Sequence, residues 1–444
     1  MKARPNIPKL AVFPPSAEVD PQGHLFIGGC DTVDLARRYG TPLYVFDESA
    51  IRQKCREFRA EFSRRYPDSH VIYASKAFLN RALAVLLKEE GLGLDVVSGG
   101  ELSCAVSVLF PPSRVYFHGN NKTGDELELA LDWHIGRIVV DNLHEIDLLG
   151  KLAGKHGIKQ DILFRVTPGV DAHTHRHTTT GVLDSKFGFP ISTGQAEEAI
   201  RRALAVPSLN PIGLHFHLGS PIYEAGVYQL GIEATLRFAA AVRKKLGWEP
   251  HEFSAGGGFA VQYTLARPAP PVGDYAEAIC RKLAEMTGEL GLKPPRLVVE
   301  PGRAIVARAG IALYTVGAVK DIPGVRRYVC IDGGMGDNIR PALYGAEYEA
   351  LMASKALAME TDTVTIAGRY CESGDILVRD TPLAMAEAGD VLAIPVSGAY
   401  CIPMSSNYNS IPRPAIVFVK DGKARVVRRR ETYDDLLRLD NGKA

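Results

Sequence analysis

The run Val71-Ile72-Tyr73-Ala74-Ser75-Lys76-Ala77 sets the architecture. Its first four residues are β-branched, aromatic or small and apolar throughout, which suits a short strand buried on both faces. Ser75 and Lys76 then end the apolar stretch. Helical spacing follows in Arg81-Ala82-Leu83-Ala84-Val85-Leu86-Leu87-Lys88, and a second two-sided strand in Leu94-Asp95-Val96-Val97. A strand, an amphipathic helix and another buried strand form the unit of a parallel sheet covered by helices. The alternation continues through Val115-Tyr116-Phe117, Ile138-Val139-Val140 and Ile162-Leu163-Phe164-Arg165-Val166. It ends with Ile212-Gly213-Leu214-His215-Phe216, Glu252-Phe253-Ser254-Ala255 and Leu297-Val298-Val299, the helix pattern Ala276-Glu277-Ala278-Ile279-Cys280-Arg281-Lys282-Leu283 lying before the last. Eight such strands favour closure into a (β/α)8 TIM-like barrel over an open doubly wound sheet. No G-x-G-x-x-G follows a strand to argue for the open form.

Beyond Arg303 the texture is different. Ile311-Ala312-Leu313-Tyr314-Thr315-Val316, Tyr328-Val329-Cys330-Ile331-Asp332, Thr363-Val364-Thr365-Ile366-Ala367, Val391-Leu392-Ala393-Ile394 and Ala415-Ile416-Val417-Phe418-Val419 are separated by Gly, Pro and Asp turns, with few long helices. The reading is therefore an α/β chain: a barrel over residues 36–304 and a mostly-β domain made of 1–35 and 305–444. Gly23-His24-Leu25-Phe26-Ile27 is also strand-like, and its partner is left open. No internal repeat or low-complexity segment interrupts the plan.

Composition narrows the class. With 46% hydrophobic and 23% charged residues, the 444-residue chain has the make-up of a folded globular protein. Lys and Arg (52) nearly cancel Asp and Glu (51), so no global positive field calls for nucleic acid or an anionic membrane. No segment approaches the roughly 20 uninterrupted apolar residues of a membrane span. Lys2, Arg4 and Lys9 precede no apolar run, so no secretory leader is expected. The seven cysteines are odd in number and contain no C-x-x-C, which fits neither a disulfide framework nor a structural zinc site. A reduced, cytoplasmic enzyme is the expectation.

Chemistry in such a barrel sits on the loops after the strands, and the polar and glycine-rich words of the sequence fall there. Lys76 closes the first strand, Ser98-Gly99-Gly100-Glu101 follows the second, and His118-Gly119-Asn120-Asn121-Lys122 the third. His173, His175 and His177, then Ser185-Lys186-Phe187-Gly188, follow the fifth. His215-Phe216-His217-Leu218-Gly219-Ser220, Gly256-Gly257-Gly258 and Glu300-Pro301-Gly302-Arg303 close the last three. The glycine triplet reads either as a tight turn or as backbone N–H groups around a phosphate, a use that barrels make of their seventh and eighth loops. The histidines lack a neighbouring cysteine or carboxylate with ligand spacing, so no metal is expected and a ring stacked on a flat cofactor is the better use. Lys76, Lys122 and Lys186 are all candidates for an imine-forming amine, Lys76 being held closest to its strand. Glu300 ends an apolar run: it either faces a ring nitrogen and keeps it protonated, or pairs with Arg303. In the β domain, Asp332-Gly333-Gly334-Met335, Arg340-Pro341-Ala342-Leu343-Tyr344, Cys371-Glu372-Ser373-Gly374-Asp375 and Gly398-Ala399-Tyr400 mix turn residues with reactive ones. Cys371 reads as a loop thiol able to donate a proton.

Five of these words, in this order, carry a family resemblance: Tyr73-Ala74-Ser75-Lys76-Ala77, His118-Gly119-Asn120-Asn121-Lys122, Glu300-Pro301-Gly302-Arg303, Cys371-Glu372-Ser373-Gly374-Asp375 and Gly398-Ala399-Tyr400. From about Leu43 to Asn409 the chain resembles the pyridoxal-phosphate-dependent decarboxylases built on an alanine-racemase-like barrel, and within them the diaminopimelate decarboxylase branch. The resemblance implies that Lys76 binds pyridoxal 5'-phosphate covalently and His217 stacks on its ring. Ser220, Gly256, Gly257, Gly258, Gly302 and Arg303 would hold the phosphate, and Glu300 would bond the ring nitrogen. Arg303, Arg340 and Tyr344 would take the distal carboxylate of the substrate, Glu372 its distal ammonium, and Tyr400 both cofactor and substrate. Cys371 would protonate the α-carbon once carbon dioxide has left. The family places Cys371 and Glu372 across a dimer interface, which implies a homodimer with shared sites. The implied reaction is decarboxylation of meso-2,6-diaminopimelate to L-lysine, with arginine, ornithine or carboxynorspermidine as alternative substrates of the same fold. Racemisation is disfavoured because no second acid–base residue stands out. A non-catalytic regulator is disfavoured because both Lys76 and Cys371 are present. The sequence departs from the family at Pro221, where glutamine is usual.

Overall fold

The structure, a computed structural model, describes residues 7–171, 181 and 183–442. The chain forms two compact units: residues 54–260 with 269–304, and residues 1–53 with 261–268 and 305–444.

The first unit is the barrel. Its strands are β1 (Ser69–Ala74), β2 (Gly93–Val96), β3 (Val115–Phe117), β4 (Arg137–Val140), β5 (Gln160–Thr167), β6 (Leu209–His215), β7 (Glu252–Ser254) and β8 (Arg296–Val299). Each pairs in parallel with its neighbours, and the β8–β1 and β4–β5 pairings close the ring. All eight expected strands are present. Closure pairs every strand on both sides, where an open sheet would leave two edges of unpaired N–H and C=O groups. Four of the helices between them start on polar caps. Asn80, Ser98, Thr123 and Asn142 each accept a backbone N–H three residues on, a contact worth about 1 kcal/mol.

Because strand side chains alternate in and out, the inward positions stack in layers. The middle layer is apolar, with Ile72, Tyr116, Val139, Leu163 and Val298 packed together and Ile212 against them. Two residues further along several of the same strands lie His118, Arg165 and Glu300, the mouth layer. Toward the strand starts lie His70, Arg137, Glu252 and Arg296, the floor layer.

The second unit is mostly β, as expected. Strands Gly310–Ile322, Arg326–Ile331, Asp362–Ala367, Ile376–Leu383, Val391–Ile394, Ala415–Lys420 and Lys423–Arg428 belong to its main sheet. Leu43–Asp47 is a strand of this sheet too, between Gly310–Ile322 and Ala415–Lys420. Residues 36–53 and 261–268 therefore group here rather than with the barrel, where the sequence reading places them. A five-residue strand buried at every position looks the same in either setting, and only its partners tell them apart. The strand-like Leu25–Ile27 pairs with Glu18–Val19 and Cys30–Asp31 in a small sheet of its own. No helix of the described residues is long and apolar enough to cross a membrane.

Candidate active site

Lys76 sits in the short 3₁₀ turn Ser75–Ala77 that ends β1, half-buried at the barrel mouth. Its positive charge acts on Asp95, His118, His215 and His217. The other two candidate lysines have different occupations. Lys122 is buried and spends its ammonium on Glu145 (2.7 Å) and on the carbonyls of Gly119 and Val139 (both 2.8 Å). Lys186 is exposed, 5.0 Å from the Phe187 ring centre. His173, His175 and His177 lie outside the described residues.

Glu300 is buried just after β8. Its Oε1 accepts from the Ser254 hydroxyl at 2.6 Å, its Oε2 lies 3.3 Å from His215 Nε2, and His118 Nε2 is 3.6 Å from Oε1. Among the described residues these are its partners, and Arg303 is not one of them. Arg303 instead points two guanidinium nitrogens at Ser220 Oγ, each at 3.4 Å. Burial alone would raise the Glu300 carboxyl. His215, His118 and the Ser254 hydroxyl outweigh it and hold the group well below the usual carboxylate range. Asp95, close by, goes the other way: burial pushes it well up, and Lys76 only partly offsets this. The two carboxyls are pushed in opposite directions because Glu300 has the hydrogen-bond donors. Burial also pushes His118, His215 and His217 down, so all three imidazoles are neutral near pH 7.

His217 Nδ1 accepts the N–H of Gly257 at 3.3 Å, which fixes the ring from below. The glycine triplet is needed for a close approach of three strand ends. A Cβ would stand 2.3 Å from the Phe216 carbonyl at Gly256, 2.3 Å from the Glu300 carbonyl at Gly257 and 2.4 Å from the Gly219 carbonyl at Gly258. Gly302 is equally confined, its Cβ position lying 2.9 Å from the Ala74 carbonyl. Pro221 follows Ser220 through a cis peptide bond, and Ile222 N–H reaches the Gly258 carbonyl at 2.8 Å. Lys76, His217, Ser220, the triplet, Glu300, Gly302 and Arg303 thus all belong to one end of one barrel.

Sequence reading assigns no role to Asp95, His118, Arg165, His215 or Ser254, which share that mouth. Their signal is a polar residue at the inward phase of an otherwise apolar strand. The ligand atoms of His118, His215 and Glu300 lie within 4.8 Å of one another. The carboxylate that sequence spacing does not find near the histidines comes from a strand 85 residues beyond His215. The Oγ of Ser75, Oδ1 of Asp95, Nε2 of His118 and Nδ1 of His215 are buried with no hydrogen-bond partner among the described residues. Natural proteins leave few such atoms, and four at one barrel mouth mark a place built to receive a polar molecule.

In the β unit, Arg340 and Tyr344 share the short helix Arg340–Tyr344. Arg340 is buried, donates to the Tyr348 hydroxyl and lies 4.7 Å from the Tyr263 ring centre. No carboxylate pairs with it among the described residues. Asp375 is buried and accepts the N–H groups of Met335 (2.6 Å) and Tyr370 (2.8 Å). Anchored there, the turn leaves Cys371 and Glu372 exposed. Tyr400 is half-buried with φ +62°.

A parallel eight-stranded barrel whose mouth presents a lysine, a neutral histidine and a buried carboxylate defines a class, and the relatives agree. Residues 48–307 match the family described as pyridoxal-dependent decarboxylase, pyridoxal binding domain. The chain belongs to that family and, within it, to the diaminopimelate decarboxylases. It is 46% identical over 419 residues to the diaminopimelate decarboxylase of Bacillus methanolicus, covering 94% of this chain and 97% of that one. It is 47% identical to that of Bacillus subtilis, covering 94% and 95%. Among solved structures, the diaminopimelate decarboxylase of M. jannaschii in complex with L-lysine superposes with a TM-score of 0.91 at 35% identity, covering 97% of this chain and 98% of the other. The residues present fit pyridoxal phosphate: an amine for its aldehyde, an ionised carboxylate for its ring nitrogen, and, around them, buried polar atoms with no hydrogen-bond partner among the described residues.

Proposed function

We propose that this chain decarboxylates meso-2,6-diaminopimelate to L-lysine and carbon dioxide, as a pyridoxal-phosphate-dependent, cytoplasmic homodimer. The observation that carries the reading is Glu300, a buried carboxylate held ionised by Ser254 and His215 at the mouth where Lys76 stands. When bound, the cofactor supplies an electron sink for the pair left by departing carbon dioxide. The protein's own contribution is binding and proton control. Lys76 anchors the cofactor, Glu300 keeps the proton on the ring nitrogen, and neutral His217 packs against the ring. Ser220, Gly256, Gly257, Gly258, Gly302 and Arg303 take the phosphate.

The remaining roles concern substrate. Arg340, with Arg303 and Tyr344, binds the distal carboxylate. A buried guanidinium with no carboxylate partner supports this, since burying an uncompensated charge is costly unless an anion arrives. Its planar fork suits two parallel hydrogen bonds. Glu372 takes the distal ammonium, Tyr400 contacts cofactor and substrate, and the Cys371 thiol delivers a proton to the α-carbon. The exposure of Cys371 and Glu372 suits residues that serve a partner protomer's site. The barrel is thus the cofactor domain, and the β domain contributes substrate-binding residues. Purified protein supplied with pyridoxal phosphate should release carbon dioxide from meso-diaminopimelate and form lysine. No release from that substrate overturns the proposal.

A further inference from the structure

At the floor of the barrel, the end away from Lys76, lies a cavity of about 660 Å³ lined by residues at the starts of strands β1 to β4 and β8 and by the Glu48–Arg65 helix. Its size is that of a small-molecule site. Five arginines reach it: Arg56, Arg59, Arg114, Arg137 and Arg296, with His70 beside them. Three carboxylates answer these five. Glu90 holds Arg56 in a fork (2.8 and 2.9 Å), Glu252 pairs with Arg137 (3.3 Å), and Asp68 with Arg296 (3.0 Å). That leaves Arg59 and Arg114. Arg59 donates to the Glu90 backbone carbonyl at 2.7 Å, and Arg114 sits 5.4 Å from the Phe110 ring centre; neither has a carboxylate partner among the described residues. The two like charges also work against each other: burial first, then Arg59, lowers the Arg114 guanidinium. The Nε of Arg137 is buried with no hydrogen-bond partner among the described residues. His70 is pushed down by burial and by Arg296, so it adds no charge near pH 7.

We infer that this floor cavity is a binding site for a small oxyanion carrying two or more negative charges, of the phosphate-ester or polycarboxylate class, clamped between Arg59 and Arg114. The two guanidiniums without a carboxylate partner among the described residues are what a dianion would neutralise, and guanidinium forks match both phosphate and carboxylate oxygens. The barrel floor is ordinarily a place for stability rather than ligands, and two guanidiniums without a carboxylate partner among the described residues at the lining of a cavity there offer an oxyanion a site. The site is separate from the mouth: the six residues of β1, Ser69 to Ala74, put about 17–20 Å between the two ends.

The test is calorimetric titration of the pyridoxal-phosphate-loaded enzyme, so that the phosphate site at the mouth is filled, with inorganic pyrophosphate in one arm and citrate in the other. One anion per chain should bind in at least one arm, the tighter arm distinguishing phosphate from carboxylate. Arg59→Gln, at an exposed position, should weaken that binding at least about tenfold while leaving the cofactor absorbance band and the rate without anion unchanged. Arg114→Lys, which keeps the charge but loses the fork, should weaken it less. Absence of binding in both arms, or equal affinity in wild type and Arg59→Gln, overturns the inference.

Discussion

Two residues show how burial gives a side chain its task. Lys76 differs from Lys122 in what its ammonium has to hold: Lys122 is spent on Glu145 and two carbonyls, while Lys76 stands among neutral histidines. Lys76→Ala should abolish the cofactor's absorbance near the visible edge and lower decarboxylation by about 10³-fold or more. Borohydride trapping followed by peptide mapping should tag Lys76 in the wild type, and a tag on Lys122 or Lys186 would contradict the assignment. Asp337, in the β unit, shows burial at work on stability. It is buried, accepts from Tyr314, Tyr44 and the Gly334 N–H, and is pushed up to about 6, chiefly by burial. The folded carboxyl keeps its proton up to about pH 6 and the unfolded one only to about pH 4. The native state therefore binds more protons in that window, and stability falls as pH rises through it. Replacing Asp337 by Asn should remove this dependence. Urea unfolding at pH 4.5 and 7.5 should show the variant gaining about 2 kcal/mol relative to wild type at the higher pH.

At the scale of elements, all eight barrel strands were legible, because two-sided apolar runs separated by helical spacing fit hardly any fold but a helix-covered parallel sheet. The layers inside the barrel were legible only in part. His118, Arg165 and Glu300 each stand two residues beyond a core residue of the same strand, so period two could have marked them. That Ser254 would meet Glu300 depends on the shear of the closed ring, which no single strand encodes. The glycine triplet illustrates the same limit. Sequence allowed a turn or a phosphate loop, and the structure adds a third demand, the approach of three strand ends. Gly257→Ala places a Cβ 2.3 Å from the Glu300 carbonyl, so it should cost about 2 kcal/mol or more of stability and weaken cofactor binding. Gly288→Ala is the control. Nothing lies within 4 Å of its added Cβ, and it sits in the Val272–Glu289 helix, so it should stabilise by about 0.5–1 kcal/mol. Thermal unfolding and a cofactor titration read both variants.

For the whole molecule, the proposed sharing of sites between protomers has a direct consequence. Lys76→Ala and Cys371→Ala should each be nearly inactive. Unfolded together and refolded, they should recover up to about a quarter of wild-type activity, because half the dimers are hybrids with one intact site. No recovery would mean that Lys76 and Cys371 serve within one chain. The amino-acid order by itself settled the barrel, the β-rich second part and the family, since these rest on local periodicity and contiguous motifs. The tertiary structure alone decided that Lys122 is held in a structural ion pair, that Glu300 answers to Ser254 and His215, and that Leu43–Asp47 belongs to the β sheet. It alone gathered five arginines at the barrel floor. Each of these depends on contacts between residues tens to hundreds of positions apart, where desolvation and Coulomb forces act through space and leave no pattern along the chain.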